Sequence, residues 1–430
     1  MRPAPAAVAA PRTTGAARSR AWRAVACAMF ACGWGGNQFT PLLLMYRERG
    51  GYSVLDVDAF LGAYVLGLVP GLLLSGPASD RYGRRPLLLA GTAASALASV
   101  VLACGVTGPW PLYAGRLLTG LAVGSAMAVG SSWVKELSGA GTAGARRASL
   151  WLTAGFGVGA GVAGTLAQWG PWPMVLPYLV HVLLTLPLLV LLPRVPETGG
   201  RAAPRSAGLL RGLLGDLRVP PAGRRRFRRT VLPMAPWVFA ASALAYAVMP
   251  QLVADRVGSF QSAYATALTV LTLGTGAAVQ PVAKRVMQRS PRRAAVTAMS
   301  GMTVGAALCA LDAVLRSPWL ALPGAAVLGA AYGIAVVTGL QEVQSLAAAD
   351  ALAGLTGVYY ALAYSGFLLP AVLAALGTWF PCAALLTTVT LLAAACLIAV
   401  ATGGSPRPAR EVARGAGCPV PRAGDRSPAR

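Results

Sequence analysis

The side chains with chemistry to offer are few, and several stand where hydrocarbon is expected. Arg116 lies inside an apolar run long enough to cross a bilayer. An arginine there costs about 2.5–3.5 kcal/mol on insertion scales and marks a functional position by default. Asp58, close to the end of another run at similar depth, is its nearest candidate ion partner. His181, the one histidine of the chain, also falls within a run; its ordinary pKa suits proton exchange, although a lone helical histidine is more often satisfied by packing. Asp312 stands near one end of its run, and Glu136 and Glu342 stand near the ends of theirs. Groups of this kind can exchange a proton or trade ion partners. Other chemistry is poorly served. Seven scattered cysteines form no C-x-x-C pair, so neither a disulfide framework nor a zinc site is expected. The H-E-x-x-H pattern is missing, and so is the G-x-x-x-x-G-K-[ST] phosphate loop, since Gly-Lys never occurs. The chain is therefore not expected to be an enzyme or an ATP-driven motor.

Composition says what must position these groups. The 430 residues are 56% hydrophobic and 12% charged, with a mean hydropathy of +0.61. Soluble domains carry roughly a quarter charged residues. A membrane helix needs about 20 largely apolar residues. Twelve runs qualify, at 24–45, 57–78, 86–106, 110–134, 148–169, 173–193, 230–253, 262–283, 294–313, 318–340, 353–375 and 379–402. The first lacks a convincing cleavage site and is read as a retained span. The expectation is an all-α membrane protein of twelve transmembrane helices in two pseudo-symmetric six-helix bundles. The segments are an N-terminal tail (1–23), a first bundle (24–193), a basic linker (194–229), a second bundle (230–402) and a C-terminal tail (403–430). With the N-terminus inside, 32 of the 37 Lys and Arg fall on one side, and only Arg47, Arg49, Arg256 and Arg316 on the other. Such asymmetry puts both termini in the cytoplasm. It also assigns the net charge of +24 to the inner membrane surface and its anionic lipid rather than to nucleic acid.

Two halves related by duplication should leave a repeat. Gly76-Pro77-Ala78-Ser79-Asp80-Arg81 matches Gln280-Pro281-Val282-Ala283-Lys284-Arg285, Gly120 and Gly124 match Gly329 and Gly333, and Glu136 matches Glu342. The offsets are 204, 209 and 206. The loop after the second run continues through Tyr82-Gly83-Arg84-Arg85-Pro86. A basic hairpin would explain its arginines, but not the aspartate or the two spaced glycines. This segment resembles G-x-x-x-D-R-x-G-R-R, the signature of the major facilitator superfamily. Further likeness lies in Arg116-Leu117-Leu118-Thr119-Gly120 (R-x-x-x-G), in Pro196-Glu197-Thr198 after the sixth run, as in sugar porters, and in Glu136 followed by Arg146 and Arg147 at a longer spacing than the family's. Gly155 to Gly164 resembles an antiporter element, with Ala160 in place of its proline and Ala163 in place of a glycine.

The resemblance implies a secondary active transporter with a cytoplasmic gate built from Asp80, Arg81, Gly83, Arg84 and Arg85, joined by Glu136, Arg146 and Glu197. Asp80 would face the N-terminal dipole of a neighbouring helix and pair with an arginine, and the loop would dock on the start of the eleventh span. The second half, with Lys284 at the position of Asp80 and no arginine following Glu342, should carry a degenerate latch. Arg116, Asp58, His181 and Glu342 are the coupling candidates. The cavity, lined by spans one, four, seven and ten, would present Asn37, Gln38, Met127, Tyr246, Met249 and Tyr332; Asn37 and Gln38 serve equally well as glue between helices. A lining without a central fixed charge suits a neutral, lipophilic or amphipathic solute. The expected function is proton-coupled export of a lipophilic drug or metabolite, with uptake of a neutral solute such as a sugar as the alternative. A proton gradient supplies the energy without a cofactor. The expected partners are a small-molecule solute and membrane lipid, with no nucleic acid or ATPase subunit, and the chain is expected to act as a multi-pass monomer in the plasma membrane.

Overall fold

The computed structural model describes residues 15–139, 143–199, 223–346 and 352–402, and these are helices joined by short turns, without a strand among them. The first helix, α1, is Gly15–Asn37. Eleven more are long and apolar enough to cross a membrane: α2 Val54–Tyr82, α3 Arg84–Thr107, α4 Pro109–Leu137, α5 Ala143–Trp169, α6 Leu176–Arg194, α7 Arg224–Leu252, α8 Ala254–Arg289, α9 Pro291–Leu315, α10 Pro318–Leu346, α11 Leu355–Leu376 and α12 Cys382–Thr402. Hence α7 starts well ahead of the expected 230, inside what the sequence suggested was linker. The rest of that linker, from 200 to 222, lies outside the described residues, as do 1–14 of the N-terminal tail and the tail 403–430.

The expected first span, 24–45, is not one rod. Gly33, Gly35, Gly36 and Asn37 dilute the apolar run, and the chain bends at Gln38–Phe39 before a tight turn at Thr40–Leu42 and a short helix at Leu43–Gly50. Val25, Ala26, Ala28, Met29, Ala31 and Cys32 are fully buried, so this stretch meets protein over much of its surface and need not read as lipid-facing.

The two halves, α1–α6 and α7–α12, repeat one close contact. In the first half α4 lies so near α2 that a Cβ on Gly124 would come 2.5 Å from the Leu72 nitrogen and 2.6 Å from the Leu68 oxygen, and one on Gly120 would strike the Tyr64 carbonyl. In the second half α10 meets α8 in the same way, with Gly329 against the Thr272 carbonyl and Gly333 against that of Gly276. Small residues in pairs four apart permit such an approach without a driving force from water.

Two markers distinguish the ends of the bundle. Trp110, Trp169, Trp172, Trp319 and Trp379 are exposed, and all lie at the end where α2 begins, as an interfacial aromatic belt should. The opposite end, carrying the Gly83 turn, gathers most of the arginines and is called the basic end below. Between them, exposed Leu66, Leu97, Leu150, Leu183, Leu391 and Ile398 face outward. The core is divided unevenly. One large apolar cluster draws residues from both halves, from Phe39 and Phe60 to Val389. At the basic end there are instead two small ones: Val25, Met29, Trp133 and Leu192 with their neighbours in the first half, and Phe227, Val231, Val343 and Tyr359 in the second.

Gly333→Val should force α10 away from α8 and cost about 1–3 kcal/mol, as overpacking does. Gly157→Ala, with nothing within 4 Å of the added carbon, should leave thermal unfolding of the purified protein unchanged. Equal melting temperatures for the two variants would contradict the packing described.

Candidate functional site

At the basic end, α2 ends and α3 begins within one residue. Gly83 makes this turn with φ +102°, and its N–H donates to the Ser79 carbonyl at 2.9 Å. The turn leaves the first N–H groups of α3 without helical acceptors. Glu197 supplies them: its Oε1 accepts from the Arg84, Thr198 and Gly199 nitrogens at 2.8, 3.0 and 3.0 Å, and its Oε2 from Arg85 N at 2.9 Å. Burial pushes this carboxyl up, but the backbone donors of Gly199, Arg85, Arg84 and Thr198 outweigh it and hold it below the ordinary 4.5. The sequence suggested Asp80 for the helix terminus; the carboxylate that occupies it is Glu197, because the segment after α6 is held under α3 by buried Leu192 and Val195 and by the Trp133 indole donating to the Pro196 carbonyl at 3.2 Å.

Asp80 instead pairs with Arg84 one turn on, at 2.6 Å, and is 58% exposed. Arg84 reaches Glu136 at 2.9 Å and donates to Ser79 Oγ at 2.5 Å, while the Thr198 hydroxyl closes the circuit on Glu136. Asp80, Gly83, Arg84, Arg85, Glu136 and Glu197 are thus brought together. Ser79 and Thr198 are members that charge patterning could not reveal. Arg81 turns away over the Tyr82 ring, 5.4 Å from its centre. Arg146 is exposed and, among the described residues, makes no ion pair; its neighbour Arg147 lies over Trp22 at 4.3 Å. The long spacing from Glu136 carries both past the charged cluster around Gly83.

The second half departs from expectation. Glu342 is 2% exposed and is paired, its Oε2 lying 2.7 Å from Arg226 Nε. The arginine comes from the start of α7, not from a position after Glu342, which is why a search along the motif does not find it. Lys284 is exposed in the last turns of α8, which runs on to Arg289.

The far end joins the halves through amides. Gln251 of α7 donates from Nε2 to Asp58 Oδ1 at 3.1 Å, and its Oε1 accepts from Arg47 Nη1 at 3.3 Å. Gln168 of α5 donates to the Ser259 carbonyl at 2.8 Å and accepts from Ala263 N at 3.0 Å. Asp58 is therefore not the partner of Arg116. Among the described residues, one further hydrogen bond links the halves, from Tyr364 Oη to Met127 Sδ at 3.4 Å, at mid-depth.

Arg116 is fully buried, beneath the bend that carries Phe39, and does not snorkel to an interface. Its Nε donates to the Phe60 carbonyl at 3.4 Å and its Nη1 to that of Gly36 at 3.2 Å, and the guanidinium lies 4.8 Å from the centre of Phe39 and 4.5 Å from that of Tyr64. Tyr64 opens onto an aromatic cluster between the halves: Tyr364 and Phe367 stand 6.4 and 6.3 Å away, Phe239 stacks on Tyr364 at 4.0 Å, and Tyr332 lies 5.6 Å from Phe239. The expected lining without a fixed charge is thus corrected, since a guanidinium adjoins the aromatic centre.

Other candidates are placed as follows. Met127 and Tyr246 each stand in a wide π turn, Ala126–Gly130 in α4 and Leu244–Val248 in α7. Such turns recur at functional sites because they re-aim a side chain. Gln38 donates to Ser99 Oγ at 2.9 Å, Asn37 donates to the Phe156 carbonyl at 3.2 Å, and Thr40 donates to Asn37 at 2.8 Å. Both amides serve as glue between helices. Met249 is fully buried against Gly324. His181 is held by Ser99 Oγ at 2.8 Å and the Ala31 carbonyl at 2.9 Å, the packed environment weighed above. The glycines of α5 serve close packing: Gly155 and Gly159 lie on the α1 backbone at Phe30 and Trp34, and Gly164 lies against Thr266 of α8.

Fold and site together define a multi-pass helical membrane protein of two similar halves with a charged cluster at one end. The Major Facilitator Superfamily model matches residues 24–370, and the chain belongs to that family. The gallate transporter of Pseudomonas putida is 35% identical over 123 residues, 28% of this chain and 26% of its own length. The tetracycline resistance protein, class G, of Vibrio anguillarum is 38% identical over 84 residues, 20% of this chain and 21% of its own. These curated relatives are thus matched over about a quarter of their length or less. The crystal structure of the nucleoside transporter NupG superposes with a TM-score of 0.69 at 13% identity, covering 90% of this chain and 98% of that one, a likeness of fold.

Because the folded protein lowers the Glu197 pKa, the cap contributes fully above the ordinary value and is lost as pH falls through the lowered one. The melting temperature of Glu197→Gln should therefore fall below wild type at neutral pH, and the gap should close under acid. A gap that widens on acidification would contradict the assignment.

Proposed function

We propose that the chain is a secondary active transporter that moves a small organic solute across the cytoplasmic membrane by alternating access, exporting a lipophilic or amphipathic metabolite or drug in exchange for protons. The observation that carries this reading is the division of the core. The halves share one apolar cluster through the centre and towards the far end, yet at the basic end each keeps its own. The latch ions Asp80, Arg84, Glu136 and Glu197 likewise bond within the first half. A protein of two bodies that share only part of their core can rock one body against the other. With the basic end in the cytoplasm, as the Lys and Arg distribution favours, the charged cluster stands on the side from which an exported solute would load.

Protons enter the scheme through Asp58. It is 2% exposed and faces one amide donor, Gln251, with Arg47 behind that amide. Asp58 is the acidic group at the seam between the halves on the far side, so parting of that end would expose it to water. Uptake of a neutral solute such as a sugar is the second reading, favoured by the seating of Pro196-Glu197-Thr198 in the latch, an element similar to that of sugar porters.

In proteoliposomes, an imposed pH gradient should drive amphipathic compounds against their own gradient, with proton counterflow. Movement of sugars alone would select the second reading. Asp58→Asn should abolish gradient-driven accumulation by about tenfold or more while solute counterflow persists, since exchange of loaded carriers needs no proton release. Full accumulation by this variant would remove Asp58 from the coupling. Asp80→Asn, which weakens the pairing to Arg84, should slow every mode of flux; an unchanged rate would sink the gate assignment.

A further inference from the structure

The two halves balance the charge of their matching turns differently. In the first half the anions come from the protein itself: Arg84 is held by Asp80 and Glu136, and Glu197 closes on the backbone beside it. The turn from α8 into α9 carries Lys284, Arg285, Arg289, Arg292 and Arg293, all of them exposed. At the same offset of 204, Lys284 stands where Asp80 does and Gln288 where Arg84 does. No acid lies anywhere in the sequence between Asp255 and Asp312, and both of those belong to the far end. Glu342, at the basic end of α10, is already paired with Arg226. Among the described residues none of the five cations meets a carboxylate. Like charges gathered so closely repel one another, and an anion brought among them gains from each.

A cleft receives part of this charge. Where α9 begins against the end of α12, a space of about 530 Å³ is lined by Ser290, Arg292, Arg293, Val296, Thr297 and Ala401. Arg292 Nη2 donates to the Ala401 carbonyl, so this arginine bridges the two helices across the cleft. The Arg293 backbone N–H donates to Ser290 Oγ at 3.3 Å, while its side chain makes no hydrogen bond or ion pair among the described residues. Away from the cleft both helices turn apolar and exposed. Val304 lies seven residues beyond Thr297, hence on the same face of α9, and Ile398 lies one turn before Ala401 on α12. Two guanidinia thus stand over a flank suited to acyl chains. We propose that this cleft is a headgroup site for an anionic phospholipid of the leaflet that the basic end meets. The lipid phosphate takes guanidinium donors of Arg292 and Arg293, a pairing for which the planar fork of arginine is well matched, and its acyl chains lie along Val304 and Ile398. The apolar flank selects a lipid over free phosphate, and a basic pocket between helix ends is a known form of headgroup site. The counter-charge that Asp80 and Glu136 give the first half is given to the second by the membrane. Bound there, the lipid joins α9 to α12, so the composition of the leaflet bears on the stability of the second half. The proposal is independent of the solute and of the direction in which it moves.

The test uses the purified full-length chain in a neutral detergent at fixed ionic strength. Its melting temperature is followed as short-chain phosphatidylglycerol, short-chain phosphatidylcholine or inorganic phosphate is added. Phosphatidylglycerol should raise the melting temperature to a plateau, as a ligand of the folded state does, while the other two leave it nearly unchanged. Arg292→Gln combined with Arg293→Gln should require roughly tenfold more phosphatidylglycerol for the same rise, or a larger excess, the loss expected for two cations at a membrane surface. Arg228→Gln combined with Arg229→Gln removes equal charge from exposed positions of α7 at the same end, and should respond as wild type does. Should loss of the Arg292 bridge prevent folding, Arg293→Gln alone carries the comparison, with a several-fold shift. An equal rise with phosphatidylcholine would mean a site without regard for charge, and an equal rise with inorganic phosphate a site for the free anion; either overturns the proposal. So does the absence of a plateau, a response undiminished in the α9 variants, or an equal loss in the α7 pair, which would reveal a diffuse field in place of a site.

Discussion

The close approach of α4 to α2 is the constraint on which the other features hang. Gly120 and Gly124 let two backbones meet where any side chain would hold them apart. Arg116 stands one turn before Gly120, so the same contact delivers its guanidinium to the Phe60 carbonyl and the Tyr64 ring. Twenty residues further along, at about 1.5 Å of rise for each, the same helix presents Glu136 to Arg84. A single rod therefore carries the core cation at one level and the Arg84-paired carboxylate at another. The mirrored contact of α10 on α8 makes the second half a comparable unit, and Glu342 ends its rod as Glu136 ends the first.

The two ends of the molecule hold by different chemistry. At the basic end the bonds are ionic, partly exposed and within one half, so salt and solvent keep them modest and reversible. At the far end the bonds between halves are made by neutral amides, Gln251 and Gln168, the first of them to charged partners. The far end has ion pairs too, Arg316 and Arg256 with Asp255, but these lie within the second half, so the bonds that cross between the halves there are the ones made by amides. Between them the halves meet through aromatic rings, which slide and tilt on each other more readily than directional hydrogen bonds permit.

Much of this was legible in the residues, for identifiable reasons. Long apolar runs announce the helices, the first included, because lipid tolerates little else. The bend in that first run was not legible, since its glycines and amides sit within a stretch that is apolar on average. The ring of charge around Gly83 could be anticipated, since Asp80, Arg84 and Glu136 are unusual in such surroundings. The role of Glu197 could not, because its partners are backbone N–H groups, which every residue possesses. Gln251 was overlooked because an uncharged amide at the end of a helix looks ordinary until Asp58 of the other half is found beside it. Arg116 was read as lying within its span, and its burial agrees; what holds it could not be read, because the Phe60 and Gly36 carbonyls and the Phe39 and Tyr64 rings come from distant parts of the chain.

The wide turns at Ala126–Gly130 and Leu244–Val248 have a consequence for how the wall of the site can change. Each holds one residue more than a regular turn, and a surplus residue in a helix is a defect that can travel. When it passes a given position the hydrogen bonds there are exchanged for equivalent ones, and the side chain swings by about 100°, the angle of a single residue in a helix. Met127 and Tyr246 sit on these defects. The inner surface can thus be re-faced one residue at a time, much as a crystal yields by the glide of a dislocation, while the rods themselves stay whole.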